Sequence, residues 1–405
     1  MARLENYLLA VGLVLTTGTR LRFSGFPIGP GEILCLIWLL LQVPVFIRER
    51  SGLWADTTIR GFVLFWGAMF FSMAVGLVNG LAHPAWDSHR SAHDVLAFGF
   101  ASLLGIAALS RFRKDAAAAK HLLFLVLLIA LSLNIGLWLV AKLQLGTMSA
   151  ELMYLSIRFQ GFANNPNQLA LLMVSLPFFG WYFLENSVNN PVKLLSMLAM
   201  GVAIFIGLQT GSDALKLSLL FGMGVLAIAS AHSTLYRRTG WQWRVAALSV
   251  VLGAYVLSYT IETQVGLTQN VAADKGVRFA LWTHAIQAWM EAPIFGFGPG
   301  AWSGIMAPFE GMEAHNSFLD IGMSAGIVGL LVYSGILYWL SLHFLNNRCY
   351  ALLAALGVMV LYSLFHYVLR HPFFWVVLAT SFCLCAGNKD MVDWGLPRKT
   401  GQIDK

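Results

Sequence analysis

The chain is divided into a succession of continuous, Leu-rich apolar runs, at roughly 6–19, 32–47, 61–80, 95–110, 121–141, 168–184, 194–208, 213–230, 245–260, 316–343, 350–369 and 373–386. Runs of this kind approach the ~20 apolar residues a helix needs to cross the hydrocarbon of a bilayer. With 58% hydrophobic and 11% charged residues among 405, the chain has more apolar surface than a soluble core would bury. Inside a bilayer each backbone N–H and C=O must find a partner within the chain, so continuous runs mean helices; a barrel would show ~10-residue alternating segments instead. The expected fold is therefore an all-α polytopic membrane protein of about twelve transmembrane helices. The first run lacks a small-residue cleavage site and reads as a retained span.

Residues 1–386 form one expected transmembrane domain, followed by a polar, charged tail at 387–405. Lys and Arg concentrate on the side shared by the two termini, in the clusters Arg48/Arg50, Arg111/Arg113/Lys114 and Arg237/Arg238/Arg244, while fewer, among them Arg20, Arg22 and Arg90, fall opposite. That bias points both termini at the cytoplasm. It also accounts for the net charge of +7 without any nucleic acid partner. Cys35, Cys349, Cys383 and Cys385 show neither a CxxC nor metal spacing and read as packing residues.

Three outward-facing connections are long enough to carry chemistry: 81–94, 142–167 and 261–315. The last holds a candidate surface helix, "KGVRFALWTHAIQAWMEAP" (275–293), with Trp282, Ala285 and Trp289 on one side, and then a turn-rich hinge, "FGFGPGAW". There is no internal repeat and no pair of Gly/Pro-broken spans in matching halves, the pattern that would favour a secondary transporter.

Ionisable residues gather at the outer ends of the spans. His315 stands at the threshold of the 316–343 run, and Gly322, Gly326 and Gly329 return close to its direction on a helix, a stripe that lets a neighbouring helix approach. His315 is then either held against that neighbour or simply interfacial. Asn316 has two possible partners, the imidazole ring or the first helical turn. Arg158 precedes a span with a readable start, Asn165 as N-cap and Pro166 as first helical residue, so the positive end of that helix faces outward. Arg278 sits one turn before Trp282. Asp213 and Lys216 lie on one helical face within the first turns of a span, as a functional pair or as mutual neutralisation. Carboxylates on the outer face are dispersed and include no DxD, so no Mg²⁺ or Mn²⁺ site is expected. His89 and His93 beside Asp94 lack a further ligand at sensible spacing.

In this order the pieces resemble the bacterial O-antigen ligase and polymerase superfamily, over about residues 150–335. The motif is a histidine followed by Asn, Ser or Gln, nine residues, glycine, two residues and Gly, Thr or Tyr, here His315, Asn316, Gly326 and Gly329. "RFQGFANNPNQLA" and "VRFALWTHAIQAWMEAPIFGFGPGAW" resemble the two arginine motifs of the family, with Arg158 and Arg278 in their places. Where many members carry Ser-Arg-Gly, this chain has Ser212-Asp213-Ala214, with Lys216 as a substitute cation one turn later. The resemblance implies a GT-C-like glycosyltransferase of the bacterial inner membrane. It would move a glycan from undecaprenyl diphosphate to a periplasmic acceptor hydroxyl, with His315 as base, Arg158 and Arg278 on the diphosphate, and Asn316, Lys216, Asn165, Trp282 and Glu313 contacting substrate. No metal or other cofactor is implied. Ligation to lipid A core is the leading expectation; polymerisation of repeat units and protein O-glycosylation use the same donor chemistry, and a transporter of lipid-linked sugars is the non-enzymatic alternative.

Overall fold

A computed structural model describes residues 2–24, 27–84, 86–237, 256, 271–300, 302–304 and 311–387. Within them the fold is helical: α1 (Ala2–Thr16), α2 (Pro30–Ala55), α3 (Thr57–Ala82), α4 (Ser88–Arg113), α5 (Ala116–Lys142), α6 (Pro166–Asn186), α7 (Asn190–Gln209), α8 (Asp213–Arg237), α9 (Val271–Glu291), α10 (Ser317–Asn346), α11 (Tyr350–Ser363) and α12 (Pro372–Gly387). One two-residue hairpin, β1 (Met153–Tyr154) with β2 (Arg158–Phe159), pairs antiparallel with Tyr154 opposite Arg158.

The chain is a multi-pass membrane protein, and among the described residues seven helices are long and apolar enough to cross a bilayer: those of α2 to α7 and α10. Leu4–Thr16, Tyr350–Ser363 and Pro372–Ala386 are shorter apolar helices. The run expected to span 350–369 is helical only to Ser363; beyond it, "FHYVLRHP" leaves the helix and places His366 and Arg370 in a connection. The expected span at 245–260 and the tail lie outside the described residues, Val256 and Gly387 apart.

Side-chain oxygens start several helices. Asp56, Asp87 and Asp115 accept from the first N–H groups of α3, α4 and α5, and Asn165 accepts from Asn167 N–H (2.9 Å) with Pro166 as the first residue of α6, as expected. In the core, α3 runs along α10, α4 along α12, and α6 lies between α7 and α11. Trp66, Tyr333 and Trp375 join α3, α10 and α12, with the Trp66 and Trp375 rings 4.6 Å apart.

The glycine stripe admits close neighbours, helix α9 at Gly322 and a turn segment at Gly326. A side chain at Gly322 would meet the Trp289 ring of α9 at 2.8 Å. At Gly326 the helix is broken (φ 61°, ψ −163°), and the turn segment 293–298 enters the gap. Phe297 N–H donates to Met323 O (2.7 Å) and Gly298 N–H to Ser324 O (3.0 Å), while Ile327 and Val328 N–H donate to Pro293 O and Ile294 O. Ser72 Oγ of α3 caps Ala325 O at 2.6 Å. Gly76 and Gly80 of α3 lie against the Phe295 and Phe297 carbonyls, so the segment is threaded between two glycine faces. An open helix ladder is tolerated at such depth because main-chain groups from the same chain replace the missing partners.

Cys349 and Cys385, expected as packing residues, are joined in a disulfide with their Cα atoms 5.9 Å apart, which ties the α10–α11 connection to the end of α12. Cys35 and Cys383 are buried and unpaired, as packing residues would be.

Gly326→Ala tests the repaired break. A Cβ there would lie 2.2 Å from Ile294 O, in a backbone region that costs other residues about 1–3 kcal/mol before any clash. The expected outcome is a marked drop in thermal unfolding temperature in detergent, with little change for Gly67→Ala of α3, where a Cβ meets nothing within 4 Å.

Candidate active site

A cavity of about 590 Å³ opens at the ends of α2, α4, α6, α9 and α10, a size typical of small-molecule sites. Arg158, Asn165, Arg278, Glu313 and His315 line it together. Lys216, Asn316 and Trp282, also expected at the site, do not. Lys216 is buried and donates to Asp213 at 2.9 Å, the neutralising pair. Asn316 serves the helix, its Oδ1 accepting from Phe318 and Leu319 N–H at 3.0 and 3.3 Å. Trp282 Nε1–H donates to Ala314 O at 3.0 Å and so fastens α9 to the residue before His315.

Arg158 is presented by the β1–β2 hairpin, whose turn puts Leu155 and Ser156 at φ 49° and 61°, a conformation that non-glycine residues adopt only at a cost. Its Nε donates to Thr210 O (2.7 Å) and its Nη2 to Asn167 Oδ1 (3.1 Å). Gly211, at φ 64°, lies flat against this side chain; a Cβ would come within 3.1 Å of Nε. Tyr362 O–H donates to Asn167 O at 2.5 Å, adding α11 to the support.

His315 has a left-handed backbone, φ 52°. The residues on either side hold it there: Ala314 N–H donates to Asp320 Oδ1 (2.9 Å) and Asn316 N–H to Asp320 Oδ2 (3.2 Å). One buried carboxylate thus grips the peptide on both flanks of the imidazole. Ser317 Oγ donates to His366 O (2.8 Å) and accepts from Val368 N–H (3.0 Å), drawing the 364–371 connection against the start of α10. The His315 and His366 rings are consequently 6.4 Å apart, and His366 stacks on Tyr362 at 4.6 Å.

Two residues before His315, Glu313 accepts from Arg370, which also donates to Asp94. Asp94 in turn accepts from Gly300 N–H at 3.0 Å and lies 3.5 Å from His93 Nδ1. Asp94 is therefore an anchor between α4, the 293–300 segment and Arg370. Among the described residues no three His, Cys, Asp or Glu side chains cluster as metal ligands.

The electrostatics of the cavity are uneven. Burial first, then the charges of Arg278, His315 and Arg158, hold His366 well below the usual imidazole range. Burial, with Arg370 and Arg22, pushes His371 down to about 3. Both imidazoles are neutral near pH 7, chiefly because they are buried and secondarily because of the charges beside them.

Of these groups, Asp320, Tyr362, His366 and Arg370 were not singled out from the sequence as site residues. The signal for the last two was the dense ionisable cluster "HYVLRHP" at the end of an apolar run.

Residues 210–334 match the protein family described as O-antigen ligase. The match starts at the Thr210–Gly211 turn under Arg158 and includes α8, Arg278, His315 and the first part of α10 with its break at Gly326; Arg158 itself precedes it. It supports placement in the ligase and polymerase superfamily, and with it a membrane enzyme of ligase-like activity. No curated protein matches the chain.

The two histidines give stability a pH dependence with a defined sign. Unfolded, they bind protons below about pH 6.5; folded, they resist until well below that. Between those limits the unfolded chain holds more protons, so stability is complete above about pH 6.5 and falls as pH drops. Thermal unfolding in detergent is expected to show a lower midpoint at pH 5 than at pH 7.5, and His371→Asn to flatten that slope.

Proposed function

We propose that the chain is an inverting, metal-independent glycosyltransferase, an O-antigen ligase that moves a glycan from undecaprenyl diphosphate to a hydroxyl of lipid A core on the periplasmic face of the inner membrane. In this reading the chain crosses the membrane about twelve times in a GT-C-like arrangement, with both termini in the cytoplasm. The observation that carries it is the meeting of Arg158, Arg278 and His315, far apart in sequence, at one cavity. The same cavity has an apolar wall, Ile33 and Leu36 of α2 with Leu96 and Phe100 of α4, which suits it to an amphiphile.

Arg158 and Arg278 pair with the oxygens of the donor diphosphate, since guanidinium groups match phosphate geometry and stay charged. The acceptor oxygen attacks the anomeric carbon while the bond from that carbon to the diphosphate oxygen breaks. The electron pair of that bond leaves with the diphosphate, and the acceptor proton passes to His315. Charge grows on the leaving group where the guanidiniums already point, so they stabilise the transition state more than the ground state. Asp320 positions the base by fixing the peptides around it. Direct displacement gives an inverted anomer and no glycosyl enzyme.

The roles separate experimentally. His315→Ala is expected to abolish transfer, by about 10²–10⁴-fold, while undecaprenyl diphosphate binding persists. Arg158→Ala and Arg278→Ala should weaken both. Equal loss of donor binding in all three variants would remove His315 as base, and a retained anomer would remove direct displacement.

Asp320→Asn keeps the size of the side chain but replaces one accepting oxygen with a donor. It is expected to lower kcat by about 10²-fold with the donor KM within about twofold, as misplacement of a reacting group would. Asp320→Glu, which retains both oxygens, should recover part of the loss.

A further inference from the structure

Residues 143–157, between α5 and the strand that carries Arg158, turn large apolar side chains outward. Leu143, Leu145, Met148, Leu155 and Ile157 are each more than half exposed, Leu155 the most at 74%. Within this stretch Glu151 is the only charged side chain. A lone surface leucine needs no explanation, but so many along one short connection call for an apolar surface that covers them.

The stretch is firmly folded, so its exposure is not that of a loose loop. Leu152 and Phe159 are buried beneath it, Gln160 N–H donates to Leu152 O (3.0 Å), and Gln160 Nε2 and the Arg20 guanidinium both donate to Glu151 O. Its start is fixed to the end of α5. Gln144, at φ 52°, reverses the chain: Leu145 N–H donates to Val140 O (3.0 Å) and Gln144 N–H to Ala141 O (3.4 Å), the paired bonds of a Schellman turn. The chain thus turns aside at the helix terminus instead of rising away from it. α5 is long and apolar enough to cross a bilayer, and Leu139 on it is 44% exposed. Leu143 follows four residues later in the same helical row, so exposed apolar surface runs from the span into the connection.

The hairpin tip breaks the usual turn chemistry. Ile157 N–H donates to Tyr154 O (3.2 Å), and Leu155 and Ser156 between them have φ 49° and 61°. Two successive left-handed residues joining antiparallel strands are the place for Asn-Gly or Asp-Gly, and a bulky side chain is disfavoured there. Leu155 occupies it while its side chain finds little packing inside the protein. What favours a leucine at such a tip lies outside the chain.

We infer that the reversal after α5 and the β1–β2 hairpin form a membrane anchor, with Leu143, Leu145, Met148, Leu155 and Ile157 resting in the interfacial zone of the bilayer leaflet on the cavity side. Lipid is the occupant because the surface continues the exposed row of α5, and interfacial binding grows with the apolar area so covered. Tyr154 pairs with Arg158 across the hairpin, so the anchor sets the depth at which that guanidinium meets the cavity. None of this depends on what the cavity turns over.

The test reads depth directly. Met148→Cys, Leu155→Cys and Ile157→Cys are made one at a time in the full chain, whose own cysteines are buried or bonded, and each carries a nitroxide label. In nanodiscs of phosphatidylethanolamine and phosphatidylglycerol, collisions with molecular oxygen, enriched in lipid, are compared with collisions with a neutral nickel chelate, enriched in water. Leu139→Cys on α5 sets the lipid value; Val188→Cys, 94% exposed in the α6–α7 connection, sets the aqueous one. The labels at 148, 155 and 157 are expected to favour oxygen, as at 139. Leu155→Asn, which suits the turn and removes the apolar side chain, should shift the label at 157 toward the nickel chelate.

The inference is overturned if the labels at 155 and 157 favour nickel as at 188, which would put the tip in water. Shielding of both labels from both reagents overturns it too, and spin–spin broadening between copies would then name a second chain as the cover. So does a label at 157 that Leu155→Asn leaves unmoved.

Discussion

At Gly326 the hydrogen-bond ladder of α10 stops, and the carbonyls of Met323 and Ser324 are taken up by the N–H groups of Phe297 and Gly298. Left open in hydrocarbon, each such group would cost several kcal/mol, so the break and the segment that fills it exist only together. This exchange joins α9, which carries Arg278, to α10, which begins just after His315. Ser91 Oγ and Asp94 extend the join to α4 through Pro299 O and Gly300 N–H. The elements that carry Arg278 and His315 are thereby fixed relative to one another by main-chain bonds, and Arg158 sits on a separate hairpin.

A second constraint is electrostatic. Charges near a low-dielectric wall interact strongly, so it matters which cations already have carboxylate partners. Arg22 and Arg370 do, and they serve architecture: Arg370 bridges α4, the 311–316 loop and the loop before α12. Arg158 donates to the Thr210 carbonyl and to the Asn167 side-chain amide, which steer the guanidinium.

What the sequence disclosed follows from how local each signal is. The Asn165–Pro166 start of α6 is written within a short window and is where the structure has it, and most apolar runs coincide with helices, seven of them long and apolar enough to cross a bilayer among the described residues. The cap role of Asn316 was one of two open readings, and helix geometry favours it. Asp320 was illegible because its partners are backbone N–H groups four and six residues earlier, which no residue pattern encodes. His366 and Arg370 were absorbed into an apolar run that ends sooner than hydropathy implies. The glycine stripe was read as a helix-packing face, whereas positive φ at Gly326 is a property of backbone conformation that spacing does not reveal. Trp282 is a substrate contact only by resemblance; its indole N–H donates to Ala314 O.

The seam at Gly326 is made from atoms that every amino acid carries. Side chains at Ile294 or Phe295 can therefore drift widely over evolutionary time while the joint survives, provided the glycines that admit it stay in place. Chains built on the same plan would diverge in residue identity far faster than in the placement of their small residues, and kinship among them is better sought in that spacing than in percentage agreement.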